Sequence, residues 1–228
     1  MKPLRDHFQL AAWDYLYLLD RSYPQKALIK LIGDRYRLSG TERSMLYRGI
    51  CASGLAHERR SKLATTGMIR NNPVAIDTYN VLITIGSYLN GNAVFISNDH
   101  FVRDASEIHG KAIRATLLQR SVNLLFDFFL AHKPSGIHFF LDSPVSNSGM
   151  LAQKLNEILN QNQLHGTADT HRSPDHLLKA TTKGLIATSD STIIEKTGLK
   201  VIDLPQQVLC SCFEPDFFDL SSFVHENQ

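Results

Sequence analysis

From residue 73 onward the chain alternates short apolar runs with amphipathic stretches of helical spacing, and no other feature restricts its fold as strongly. The apolar runs cover 74–76, 93–96, 137–141, 184–187 and 200–204. Helical patterns lie between or after them at 79–89, 115–132, 150–159, 175–182 and 191–197. Short continuous apolar strands separated by helices predict an α/β fold with a parallel sheet covered on both faces. Ligands of such sheets bind beyond the carboxyl ends of the strands. Asp77, Asp142 and Asp190 fall there, each at or just past the end of an apolar run.

An acidic residue after a strand commonly caps the next helix by accepting its first N–H groups. Three of them at one sheet edge also predict a shared site. Converging carboxylates repel one another unless a cation lies between them. Oxygen-only donors suit Mg²⁺ or Mn²⁺, and a divalent metal there serves phosphoryl transfer by activating water and steadying the leaving oxygen. Asp77, Asp142 and Asp190 are therefore the catalytic candidates. Asn80, one turn past Asp77, is placed to orient water, or else to bond the local backbone. Ser143, Ser146 and Ser148 form a hydroxyl-rich loop entering a helix, where N–H groups can hold phosphate. Ser189 stands beside Asp190. The Gly-x-x-x-x-Gly-Lys pattern of a P-loop is absent from this loop. His165, His171 and His176 lack the partners for a zinc site, and Cys51, Cys210 and Cys212 carry no Cys–His catalytic signature.

The first 70 residues have a different texture. Leu10, Trp13, Leu16 and Tyr17, then Ala27, Leu28, Leu31 and Ile32, recur at helical spacing. Pro24 suits the start of the second helix, and Ser39 with Glu42 reads as a capping box that opens a third, running to about residue 51 or 53. This segment holds 13 Lys and Arg against 6 Asp and Glu, net +7, whereas 71–228 are net −5. Arg35, Arg37, Arg43, Arg48, Arg59 and Arg60 are candidates for nucleic-acid binding, because a guanidinium can fork two bonds to phosphate. The expected division is a basic helical module at 1–70 and an α/β domain at 71–228.

Composition sets the outer limits. At 43% hydrophobic and 20% charged, the 228 residues can build a core, which excludes a disordered chain. No run of about 18 apolar residues occurs, so no membrane span is expected. The opening MKPLRDHFQL holds no apolar signal segment, and three cysteines cannot all pair, so the expectation is a cytoplasmic protein. The Phe-rich tail from Phe213 to Phe223 is expected either to cover the core or to dock on another subunit, as in a homo-oligomer.

The pieces VAIDTYNVL (74–82), FLDSPVSNSG (140–149), SPDHLL (173–178) and GLIATSDSTIIEKTGLKVIDL (184–204) resemble the acidic motifs of PIN-like domains. GDRYRLSGTERSMLYRG (33–49) and NDHFVRDAS (98–106) are similar to a group pairing a DUF434 domain with a DUF5616 PIN-like domain. The resemblance implies a PIN-like parallel sheet and a Mg²⁺- or Mn²⁺-dependent nuclease acting on RNA. It also implies a metal set of Asp77, Asp142, Asp175 and Asp190, with Asp104 or Glu107 as a further acid. A non-catalytic nucleic-acid-binding or adaptor protein on the same fold is the alternative. A phosphatase with an Asp-x-Asp acceptor is less suited, because Asp77-Thr78-Tyr79 lacks the second acid.

Overall fold

A computed structural model describes residues 7–105 and 115–224. Its strands are β1 (Pro73–Asp77), β2 (Val94–Ile96), β3 (Val102–Asp104), β4 (Gly136–Asp142), β5 (Gly166–His171), β6 (Leu185–Ala187), β7 (Val201–Ile202) and β8 (Phe218–Asp219). Four helices, α1 (Phe8–Leu19), α2 (Gln25–Arg35), α3 (Gly40–Gly49) and α4 (Ser53–Ser61), precede β1. They are followed by α5 (Thr78–Leu89), α6 (Ala115–His132), α7 (Ser148–Gln161), α8 (Pro174–Ala180), α9 (Ser191–Lys196), α10 (Leu204–Cys212) and α11 (Leu220–Val224). No helix among the described residues is long and apolar enough to cross a membrane. The chain divides into two compact units. One takes 7–61, 87–105 and 215–224 of the described residues; the other takes 62–86 and 115–214.

The second unit is the expected α/β structure. Its five strands are all parallel in the order β5-β4-β1-β6-β7. Residues alternate between faces along each strand. Val74, Ile76, Ile137, Phe139, Leu141, Leu185 and Ala187 are buried on one face. Phe126 of α6 stacks on Phe139 with ring centroids 5.9 Å apart, and Phe129 meets it edge-on at 6.3 Å. Each such fully buried side chain contributes roughly 1.5–3 kcal/mol. On the opposite face, Ala75 and Ile186 pack with Leu178 of α8 and Ile193 of α9.

Both sheet edges are occupied. The Asn156 side chain of α7 pairs with the main chain of Ala168, donating to its carbonyl at 2.8 Å and accepting from its N–H at 2.9 Å. An amide thus stands where another strand would add. At the far edge, Val201 exchanges backbone bonds with Lys62 and Ala64.

Two expectations about strands need correction. The run at 93–96 forms β2, but β2 is not part of the parallel sheet. It belongs to a three-stranded sheet of the first unit, antiparallel to β3 and parallel to β8. The chain reverses at 98–100, where Ser97 N–H bonds the Phe101 carbonyl at 3.0 Å, so β2 pairs locally. Conversely, β5 was not expected. It is an edge strand in which only Ala168 is buried, so its sequence GTADTH lacks an apolar run.

The first unit is built on α1–α4. Ser39 opens α3 with the expected capping box: its Oγ accepts from Glu42 N–H, and Glu42 Oε2 accepts from Ser39 N–H at 2.7 Å. Pro24 is the N-cap of α2, and α3 ends at Gly49, slightly before the expected limit. A Cβ at Gly49 would lie 2.3 Å from Leu220 Cδ1 and 2.5 Å from Phe95 Cε2, so only glycine admits both neighbours. Phe8, Tyr15, Leu28, Ile32, Met45 and Leu46 form the core with Phe95, Ala105 and Leu220. Phe218 and Phe223 pack on that core, so these two tail residues cover it.

Candidate functional site

The acidic strand ends lie at one edge of the five-stranded sheet. Asp77 ends β1, Asp142 ends the adjacent β4, and Asp190 follows β6 on the other side of β1. Asp175 is in the first turn of α8, which packs over β1 and β4. Register places Asp77 opposite Phe140, and Asp142 opposite His171 of β5. Residues paired across parallel strands share a face, so Asp77, Phe140, Asp142 and His171 are on the same face.

Asp77 is buried, with 8% of its surface exposed. Its carboxylate accepts the Thr188 hydroxyl at 2.8 Å and the backbone N–H of Asn80, so it caps α5 while ending β1. Burial pushes its pKa up to about 7; the Thr188 hydrogen bond opposes this, and the charges of Asp190 and Asp175 add to it. Burial, then the Asp175 charge, raises the Asp142 carboxyl. Burial, then the Asp142 charge, raises the Tyr79 phenol. The charge of Asp175 thus reaches both Asp77 and Asp142, and that of Asp190 reaches Asp77.

Asp190 is also a helix cap. Its Oδ1 accepts from Thr192 N–H at 2.8 Å and Ile193 N–H at 3.1 Å, while its own N–H bonds Thr188 Oγ at 3.0 Å. Asn80 does not stand free to orient water through its oxygen. Oδ1 accepts the Ser189 N–H at 2.8 Å and hydroxyl at 3.0 Å, tying the first turn of α5 to the loop after β6. Ser189 is buried in that tie.

The fit to a metal can be stated from these donors. Among the described residues, no three His, Cys, Asp or Glu side chains stand close enough together to hold one ion. The arrangement is thus no ready-made cage. Mg²⁺ commonly retains several waters and takes only one or two carboxylates. An all-carboxylate set in which neighbouring charges add to the raised pKa of Asp77 and Asp142 fits a hydrated cation of that kind.

The remaining candidates divide. Ser143 and Ser146 are exposed on the loop after Asp142, whereas Ser148 is buried and its hydroxyl donates back to the Ser143 carbonyl at 3.4 Å. Asp104 does not join the cluster: it belongs to the first unit and pairs with Arg48 at 3.5 Å. Glu107 lies outside the described residues. Arg59 is buried and bonds Asp99 at 3.1 Å, a packing role in place of the expected phosphate contact. Arg43 bonds Asp34 at 2.9 Å and the Leu38 carbonyl at 3.1 Å, and lies against Gly33. Arg35, Arg37 and Arg60 are exposed, with Arg35 3.6 Å from Asp14. Sequence reasoning missed Thr188, Tyr79 and Phe140, and weighed His171 only as a zinc ligand. Thr188 and Tyr79 sit within two residues of named acids, but only register reveals that Phe140 and His171 flank them.

Comparison with known proteins gives two family matches. The family described as a domain of unknown function, DUF5616, matches residues 66–207, and the one described as a protein of unknown function, DUF434, matches residues 7–62. An uncharacterized protein of Methanocaldococcus jannaschii is 29% identical over 192 residues, covering 84% of this chain and 91% of that relative. No solved structure matches the chain.

Proposed function

The chain belongs to the DUF5616 family, and from the acidic strand ends of that domain we propose a PIN-like, Mg²⁺- or Mn²⁺-dependent nuclease that acts on RNA in the cytoplasm. The observation that carries this reading is the placement of Asp77, Asp142 and Asp190 at or just past the carboxyl ends of three neighbouring strands, with Asp77 buried there against Thr188. A cluster of mutually repelling carboxylates is relieved by a cation. One or two of Asp77, Asp142, Asp175 and Asp190 would hold it, with water completing its shell. Such a cation lowers the pKa of bound water and offsets charge on the phosphate. The chain's own residues set the geometry. Thr188 and the Asn80 N–H orient the Asp77 carboxylate. The Asn80–Ser189 tie fixes the loop that carries Asp190. Arg35, Arg37 and Arg60 are among the exposed cations of the helical unit, with Arg21, Lys26 and Lys30, and such a set would draw in a polyanion.

A second reading, a non-catalytic nucleic-acid-binding or adaptor protein, is favoured by the capping bonds of Asp77 and Asp190 and the absence of a three-carboxylate group among the described residues. Cleavage separates the two. Purified chain is incubated with single-stranded and structured RNA in Mg²⁺, Mn²⁺ or chelator. A nuclease cuts only with metal, and Asp77→Asn and Asp142→Asn each abolish cutting while RNA binding is retained. Cleavage that survives chelator and both substitutions would refute the metal site. Binding without cleavage would favour the adaptor.

A further inference from the structure

Parallel sheets are ordinarily covered on both faces; among the described residues, one face of this sheet is left exposed toward its β5 edge. On the face that carries Asp77, α8 and α9 pack over Ala75 and Ile186. Toward the β5 edge of the same face, His138, Thr167 and Asp169 are exposed, and Phe140 and His171 are half-buried. Phe140 packs on one side against the cluster of Ala75 and Leu178, which fixes its ring. On its other side the His171 ring lies 5.5 Å away, tilted by 33°. Asp77 and Asp169 stand opposite Phe140 on the two neighbouring strands, and Asp142 stands opposite His171.

We infer that Phe140 and His171 form a shelf on which an unpaired base of an RNA strand stacks beside the acidic edge, an inference that rests on the nuclease reading. The surrounding charge selects the part of a nucleotide that fits. Carboxylates on both flanks repel phosphate, whereas a flat neutral ring can stack on the outer face of the Phe140–His171 pair, whose rings meet at a 33° tilt with centroids 5.5 Å apart. Only a base free of its helix can turn onto such a surface, as in single-strand recognition by aromatic side chains. The shelf thus selects single-stranded RNA next to the carboxylates. A purely structural role is the competing account, because diagonal cross-strand aromatic pairs also steady sheets.

The test reads binding in chelator, so that no turnover is needed. Short fluorescent RNA strands carrying one abasic position, moved along the strand, are titrated with the full chain. One abasic position lowers wild-type affinity about tenfold, the scale of losing one stacked base. Phe140→Leu lowers affinity for the intact strand by a similar factor and abolishes the abasic penalty; His171→Ser acts in the same direction. A 2-aminopurine at that position changes fluorescence on wild-type binding, a measurement that needs no variant to fold. The shelf is overturned by an absent abasic penalty, by equal loss for intact and abasic strands in Phe140→Leu, by unchanged 2-aminopurine emission, or by no binding. Metal-dependent cleavage without an abasic penalty removes the shelf and leaves the nuclease. An abasic penalty without cleavage does the reverse.

Discussion

Asp77 is held in its buried position by two hydrogen bonds, yet it is also the carboxyl most disfavoured as an anion. Its folded pKa of about 7 is above the ordinary value of 3.8. The folded state therefore binds this proton more tightly than the unfolded chain. The resulting stabilisation is full below pH 3.8 and is lost as pH rises through about 7. That displacement corresponds to about 4 kcal/mol. In chelator, wild type should lose stability in urea between pH 4 and pH 8. Asp77→Asn should flatten that slope and be the more stable protein at pH 8, because a neutral amide keeps an acceptor for Thr188 without the charge. Added Mn²⁺ should raise the melting temperature of wild type more at pH 8 than at pH 5, since cation and proton compete for the same carboxylates. A melting curve for Asp77→Asn with the wild-type pH slope would place the titration elsewhere.

At the scale of elements, periodicity was legible wherever an element buries a stripe or a run. Residues 115–132 read as a helix and form α6 with the same limits. Residues 137–141 read as a strand and form the centre of β4. What periodicity could not carry was partnership. β2 has the same apolar texture as a parallel strand, and only its neighbours assign it to another sheet. β5 carries almost no apolar signal because its edge is closed by Asn156 rather than by a hydrophobic strand. The site was legible in the same uneven way: the acids were visible as strand-end residues, while their capping bonds and the Phe140–His171 pair depend on register. The Asn156 lock gives a testable consequence. Asn156→Ala should cost roughly 1–3 kcal/mol, from two lost hydrogen bonds and a main-chain pair at the edge left to water. It should also increase light scattering on partial unfolding, because the edge of β5 becomes a template for other strands. Asn156→Ala with wild-type stability in urea would show the lock to be incidental.

Considered as a whole, the chain does not fold in the order in which it is written. The first compact unit takes segments from the beginning, middle and end of the sequence, and a change of texture near residue 70 cannot reveal that later segments return. Phe95, Ala105 and Leu220 complete the core of α1–α3, and Asn98 bonds the Cys51 main chain at 2.7 and 3.2 Å. A fragment of residues 1–70 should therefore bind a hydrophobic dye and melt without a cooperative transition, whereas the full chain melts cooperatively. The same packing reassigns the basic residues. Arg59 and Arg103 both bond Asp99, whose carboxyl is held far below its usual range despite burial. Removing one partner of a buried ion cluster is destabilising, so Arg59→Ala should lower stability by roughly 2–4 kcal/mol. Arg43 is engaged with Asp34 and the Leu38 carbonyl, so it too should act on stability. Arg35 and Arg60 are exposed, and the Arg35–Asp14 contact at 3.6 Å is between solvated groups of little energetic weight. If the helical unit holds RNA through phosphates, each arginine that contacts one contributes about 0.7 to the slope of log affinity against log salt for a single strand. Arg35→Ala/Arg60→Ala should reduce that slope by about 1.4 and leave urea unfolding nearly unchanged. Arg43→Ala/Arg59→Ala should do the opposite, lowering stability while the surviving folded fraction keeps the wild-type slope. Titrations at several salt concentrations beside urea curves for both double variants decide the matter: an unchanged slope in Arg35→Ala/Arg60→Ala would remove these two arginines from the proposed RNA contact.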